Sequence, residues 1–159
     1  MGQKEEQLNN LIAYHYDFCF GCGKKQPAGL QLEINNIDKT NKTIRGQAKI
    51  REVHQGAPGI SHGGIVASAL DEIIGYLMWL WKTPAVTAHL EVNFIKPVPI
   101  GSELTLEARL TRKIGRKFYA VGYAYVGDTL VADSKALYIA VSVDHFAKYA
   151  SLTLPNYIQ

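Results

Sequence analysis

Hydrophobic and polar residues alternate with a period of two in six separate stretches of the chain, the pattern of strands with one face buried. These are LQLEI (30–34), TIRGQAKIR (43–51), VTAHLEVNFI (86–95), SELTLEARLTR (102–112), KFYAVGYAYV (117–126) and LVADSKALYIAVSV (130–143). In the third, Val86, Ala88, Leu90, Val92 and Phe94 alternate with Thr87, His89, Glu91 and Asn93, which predicts one apolar face and one polar face. The links NNIDKTNK (35–42), KPVPIG (96–101) and GDT (127–129) carry turn residues. Connections this short make neighbouring strands antiparallel.

Between the second and third strands the period changes. After the glycine-rich loop EVHQGAPGIS (52–61), the stretch 62–81 is apolar on nearly every side and predicts one long helix that ends before Pro84. Two glycines at its start and the acids Asp71 and Glu72 at its centre argue against a membrane span. Such a helix needs cover on several sides, and a curved antiparallel sheet wrapped around it supplies that cover, which gives an α+β fold. The open edges of the sheet must be paired or blunted, and edge-to-edge dimerisation is the simplest remedy. Upstream, KEEQLNNLIAYHY (4–16) predicts a short helix and CFGCGKKQPAG (19–29) a set of turns. The expected division is an N-terminal helical segment over 1–18, one domain over 19–145 and a tail over 146–159.

Length and charge narrow the function classes. A chain of 159 residues fits a single domain. Its 19% of charged residues lies below the ~25% usual for soluble domains, as expected if an oligomer hides part of the surface. The net charge of +3 is spread along the chain apart from TRKIGRK (111–117). This is not the dense basic stripe of a nucleic-acid binder. MGQKEEQLNN at the N-terminus does not read as a secretory signal, so a cytoplasmic location is expected.

The two cysteines, Cys19 and Cys22, form CFGC. A redox pair would normally open a helix after a strand, and zinc needs four ligands. His15 could add one ligand and a second subunit more, but the simpler expectation is a pair of small buried thiols in a tight turn, with no metal and no cofactor.

The chemistry centres on the long helix. Charged side chains are rarely buried without a partner or a task, so Asp71 within IVASALDEIIGYL requires an explanation. The first amides of a helix lack internal partners and carry the positive end of its dipole, and glycine there permits close approach of a ligand oxygen. Gly63 and Gly64 are therefore candidates to polarise a carbonyl and hold an oxyanion. Eight residues separate Gly63 from Asp71, which is about 12 Å along a helix, whereas both groups must lie ~3 Å from one reacting carbonyl. Two chains with antiparallel helices solve the problem, because the Gly63 end of one then faces Asp71 of the other. A carboxylate that attacks a polarised carbonyl, or takes a proton from water, suits acyl transfer. Thioesters are the plausible substrates, since a thiolate leaves without a strong acid. Glu72 lies ~100° around the helix from Asp71 and is expected to reach solvent or a salt bridge.

GAPGISHGGIVASALDE resembles the hotdog-fold thioesterases of the phenylacetate-pathway (PaaI-like) type, with His62, Gly63, Gly64 and Asp71 matching that family's histidine, glycine pair and acid. VNFIKPVPIGSEL (92–104) and CFGCG…GLQL resemble further segments, so that the similarity covers roughly 19–143. It implies the hotdog fold, a curved antiparallel sheet around one central helix, and hydrolysis of an acyl-CoA or related acyl thioester. Asp71 would be nucleophile or general base, the Gly63 amide would polarise the carbonyl across a homodimer interface, and His62 would orient the loop or lie near the sulfur. Thr87 would position the attacking water if its strand face, or a bulge, borders the cleft. Some relatives carry an asparagine where this chain has Gly56, and Gln55 could supply that amide. Arg116 and Lys117, with Arg112 and Lys113, would meet the phosphates of coenzyme A. Pairing of dimers into tetramers is left open. Tyr76, Met78, Trp79 and Trp81 are expected mainly in the core. A hotdog hydratase or dehydratase, and a non-catalytic acyl-CoA binding module, are the competing readings.

Overall fold

The computed structural model describes residues 17–81, 83–142, 144–146 and 148–149, without the side chains of Trp79 and Leu80. The helix expected over 4–16 and most of the expected tail lie outside the described residues. The elements are β1 (Glu33–Asp38), β2 (Thr43–Lys49), α1 (Gly63–Leu80), β3 (Ala85–Phe94), β4 (Glu103–Ile114), β5 (Lys117–Val126) and β6 (Thr129–Ala140). All six strands form one antiparallel sheet in the order β1-β2-β4-β5-β6-β3, and α1 packs across it. No helix among the described residues is long and apolar enough to cross a membrane.

Small side chains let the helix sit close to the sheet. Across the sheet, Ala108 pairs with Gly122 and Gly122 with Ser134, while Ala120 pairs with Ala136. A Cβ on Gly122 would lie 2.7 Å from Ser134 Oγ and 3.1 Å from Ile74 Cδ1, and one on Gly46 would lie 3.2 Å from Ile73 Cδ1. The space these glycines leave is where the two isoleucines seat. Leu70, Ile73, Ile74 and Leu77 of α1 are fully buried, together with Leu104 and Leu106 of β4.

Two stretches depart from the simple alternation. Residues 30–32 do not join β1: Gln31 has φ +51°, while the Leu30 and Leu32 amides donate to Phe20 O and Gly21 O at 2.8 and 2.9 Å. The two leucines enter the core from a turn, and β1 starts at Glu33 and continues through Asp38, where a loop was expected. The Asp38 carboxylate accepts from Asn41 N at 2.9 Å and closes the hairpin. In β3 the register shifts between Thr87 and His89, which leaves Ala88 as the extra residue of a bulge. The phase inverts there. Ala85 and Thr87 pair with the inward-facing Ala140 and Tyr138, and beyond the bulge Leu90, Val92 and Phe94 pair with Ala136, Ser134 and Ala132. The expectation that Thr87 shares a face with His89, Glu91 and Asn93 is thereby corrected.

Truncating a helix residue at the tightest contact should leave a cavity that the small-residue sheet cannot fill. Ile73→Ala is expected to lower the unfolding free energy by about 2–5 kcal/mol in chemical denaturation, whereas Ile37→Ala, on an edge strand and 49% exposed, should change it by no more than about 0.5 kcal/mol.

Candidate active site

The start of α1 is fixed by a short hydrogen-bonded loop. His54 is buried, accepts the Arg51 amide on Nδ1 at 3.0 Å and bonds Ala28 O through Nε2 at 3.1 Å. Because Nδ1 accepts, Nε2 is the donor. The Arg51 guanidinium donates to Pro27 O at 2.9 Å and to Gly29 O, tying the 27–29 turn to the same loop. The His62 amide donates to His54 O at 2.8 Å. Gln55 Oε1 accepts the Gly59 amide at 3.0 Å, so this side chain closes the 55–61 loop.

His62 caps α1. Its carbonyl accepts from Ile65 N, and its Nδ1 accepts the Gly64 amide at 2.9 Å. The Gly64 N–H is thus engaged, while no described group accepts the Gly63 N–H. Gly63 lines a groove of about 290 Å³ with Ser61, Val66, Phe94, Lys96 and Pro97. A Cβ at Gly63 would meet the Phe94 ring at 3.5 Å, inside this groove.

Asp71 sits two turns further along, half-buried. Its Oδ1 accepts from Thr87 Oγ1 at 2.9 Å, and the Tyr138 hydroxyl lies 2.5 Å from Oδ1 and 2.7 Å from Asp71 O, so that its one proton is shared between the two oxygens. The β3 bulge turns Thr87 toward the helix, and the pairing of Thr87 with Tyr138 sets the two hydroxyls side by side. Among the described residues nothing donates to Oδ2, so the carboxylate has one anchored oxygen and one available for chemistry. Burial, then the charge of Asp71 and the hydrogen bond to it, raise the Tyr138 hydroxyl far above the usual phenol range. It is a permanent donor at neutral pH.

Within one chain Asp71 and Gly63 remain two turns apart on α1, as the spacing predicts. The basic hairpin lies at the Asp71 end of the sheet, because Lys113 pairs with Phe118, and Phe118 with Tyr138. Gly115 and Arg116 form its tip, and Lys117 pairs with Ile114 beside it. Met78 is in the core and Tyr76 and Trp81 pack against it; Tyr76 also borders a second groove beside Cys22.

With this geometry in place, comparison with known proteins is informative. The sequence profile of the thioesterase superfamily matches residues 58–123, a span that runs from the loop before α1 through most of β5. The chain is 28% identical over 140 residues, 86% of its length, to a mouse protein named acyl-coenzyme A thioesterase THEM4, and spans 57% of that relative. A phenylacetic acid degradation-related protein from Ralstonia eutropha superposes with a TM-score of 0.66 at 22% identity, covering 70% of this chain and 86% of that one. The Streptococcus mutans protein smu.793, solved bound to acetyl CoA, superposes with a TM-score of 0.65 at 15% identity over 70% and 89% of the two chains. These structures share with this chain the hotdog fold, a curved antiparallel sheet around one long helix.

Sequence reasoning passed over two residues of this site. Tyr138 stands in the apolar run ALYIA, and the phase of β6 places it inward with Ala136. A tyrosine on a buried face needs a hydroxyl partner, which was the available signal. His54 lay in a loop with no pattern to mark it.

Tyr138 also gives the protein an alkaline limit. Its hydroxyl pKa is raised on folding, so above about pH 10 the unfolded state loses this proton first and stability falls as pH rises. Tyr138→Phe should flatten that alkaline decline of unfolding free energy, measured by denaturant titration at successive pH values.

Proposed function

We propose that this chain hydrolyses acyl thioesters of the acyl-CoA class in a homodimer whose two sites each combine residues of both chains. The observation that carries this reading is the half-buried Asp71 carboxylate, anchored on one oxygen by Thr87 and Tyr138 and exposed to chemistry on the other. The thioester carbonyl takes a hydrogen bond from the Gly63 amide of the opposite chain, at the positive end of α1. Asp71 Oδ2 then attacks the carbonyl carbon, or takes a proton from a water that attacks it. Either way the C–S bond breaks, water supplies the new C–O bond and a proton, and free acid and thiol leave. His62 acts by fixing the loop and occupying the Gly64 amide, which leaves Gly63 as the donor. Thr87 fixes Oδ1 and so aims Oδ2. Arg116 and Lys117 meet the phosphates of the thiol carrier, and Gln55 shapes the loop on the leaving-group side.

Several features support the shared site. The outer edge of β3 has no partner strand among the described residues, and Phe94 and Ile95 at its end are 59% and 48% exposed. A second chain laid along this edge would cover them and bring its own Asp71 toward the Gly63 groove. The mouse relative's name and the acetyl CoA bound to the Streptococcus mutans protein agree with the substrate class.

Asp71→Asn should keep the fold and lower kcat about 10²- to 10⁴-fold, read as free-thiol release across a panel of acyl-CoAs; near-normal turnover would overturn the assignment. Mixing inactive Asp71→Asn chains with inactive Gly63→Pro chains should restore part of the activity through heterodimers that keep one intact site, and no recovery in verified heterodimers would rule out the shared arrangement.

A further inference from the structure

The second carboxylate of α1 faces a different neighbourhood. Glu72 is turned toward the CFGC segment, where Cys19 Sγ donates to Glu72 Oε2 at 3.5 Å. One ligand atom from each of Cys19, Cys22 and Glu72 lies within 4.8 Å of the others. These residues are 53 and 50 positions apart in sequence, and the fold has brought two sulfurs and one carboxylate oxygen to a point.

The local backbone is shaped for this approach. A Cβ on Gly21 would lie 2.3 Å from the Glu72 carboxyl, so only glycine between the two cysteines lets the carboxylate reach them. A Cβ on Gly23 would lie 2.5 Å from both Cys19 N and Cys19 O, and the Gly23 amide donates to Cys19 O at 2.8 Å. Gly23 is required by the closed turn between Cys19 and Gly23, whose backbone leaves no room for a Cβ, while Gly21 leaves the space that the Glu72 carboxylate occupies.

We propose that Cys19, Cys22 and Glu72 bind one thiophilic divalent cation of the zinc type, which ties the 19–23 turn to the middle of α1. The geometry fits that ion. Zinc–sulfur and zinc–oxygen bonds of about 2.3 and 2.0 Å in a tetrahedron put sulfur and oxygen about 3.5 Å apart, which is the Cys19–Glu72 separation. A thiol pair with a carboxylate is a donor set that favours zinc over calcium or magnesium. Water completes the tetrahedron. Entry is open through a groove of about 690 Å³ lined by Asp17, Cys22, Lys24, Leu32, Glu33 and Tyr76. In the absence of a metal, the hydrogen bond with Cys19, then burial and the charge of Glu72, push the Cys22 thiol well above its ordinary range, against a smaller opposing hydrogen bond from Tyr76, one turn beyond Glu72.

The site is tested on full-length protein purified under reducing conditions with zinc supplied, and the readouts do not depend on thioester hydrolysis. Elemental analysis should find about one zinc per chain, and cobalt(II) exchanged into the site should show thiolate-to-metal charge-transfer absorption. Cys19→Ser and Cys22→Ser should each diminish that absorption, and Glu72→Gln should keep it while weakening zinc at least tenfold or so against a chromogenic chelator. Zinc well below one per chain with both thiols free to react, or recovered as a disulfide, would overturn the proposal. So would metal retained undiminished by the serine variants. Should those variants fail to fold, the cobalt spectrum of the unaltered protein decides, and absence of a sulfur band overturns the site.

Discussion

Everything in this molecule depends on how closely α1 approaches the sheet. The row Ala108, Gly122 and Ser134 and the pair Ala120 and Ala136 leave a trough into which Ile73 and Ile74 fit. With the helix held that near, a hydroxyl on the neighbouring strands can reach its backbone and side chains, and Tyr138 does both at Asp71. A larger residue in the trough would lift α1 and lengthen those contacts. Core packing and the geometry of the acid are therefore one constraint, because the same distance sets both.

The central helix and the four following strands were legible because their hydrophobic periods are clean; observed ends differ from the predicted ones by a few residues at most. β3 shows what such a pattern misses. Its side chains alternate in sequence without a break, yet one bulge at Ala88 inverts the phase, so Thr87 and Leu90 face the same way. Alternation reports what each residue is and not how many lie opposite on the next strand. β1 fails for a related reason: Leu30 and Leu32 are as buried as strand residues, but a turn with a left-handed Gln31 puts them there. At the candidate site, Asp71, Gly63 and His62 stand out by motif and spacing, whereas Tyr138 is marked only by being a tyrosine on a buried face and His54 by nothing, since their partners Asp71 and Ala28 lie far away in the sequence.

The two turns between Gly63 and Asp71 follow from the same economy of elements. A single helix presents both its positive end and a half-buried acid, and helical rise fixes them about 12 Å apart. No loop movement within the chain can close that gap, because α1 is packed along its length. In the proposed shared site a second copy closes it, and the edge of β3, which has no partner strand among the described residues, lies beside the groove at Gly63, where exposed Phe94 and Ile95 provide an apolar surface.

Adjacent acids on a helix point ~100° apart, and here that angle separates two environments. Asp71 turns to the β3–β6 side and is gripped by hydroxyls; Glu72 turns to the 19–23 turn and meets sulfur. Neither acid reaches solvent as a free surface charge would, and each is met by the element whose local irregularity makes room for it: a bulge at Ala88 for Asp71, a glycine at 21 for Glu72. A helix that is apolar on most faces can carry two carboxylates at its centre only because both neighbours depart from regular structure at the point of contact. Restoring regular pairing at Ala88, or adding a side chain at Gly21, would leave one acid half-buried without its partner, and the desolvation cost of that charge would fall on the middle of the core helix.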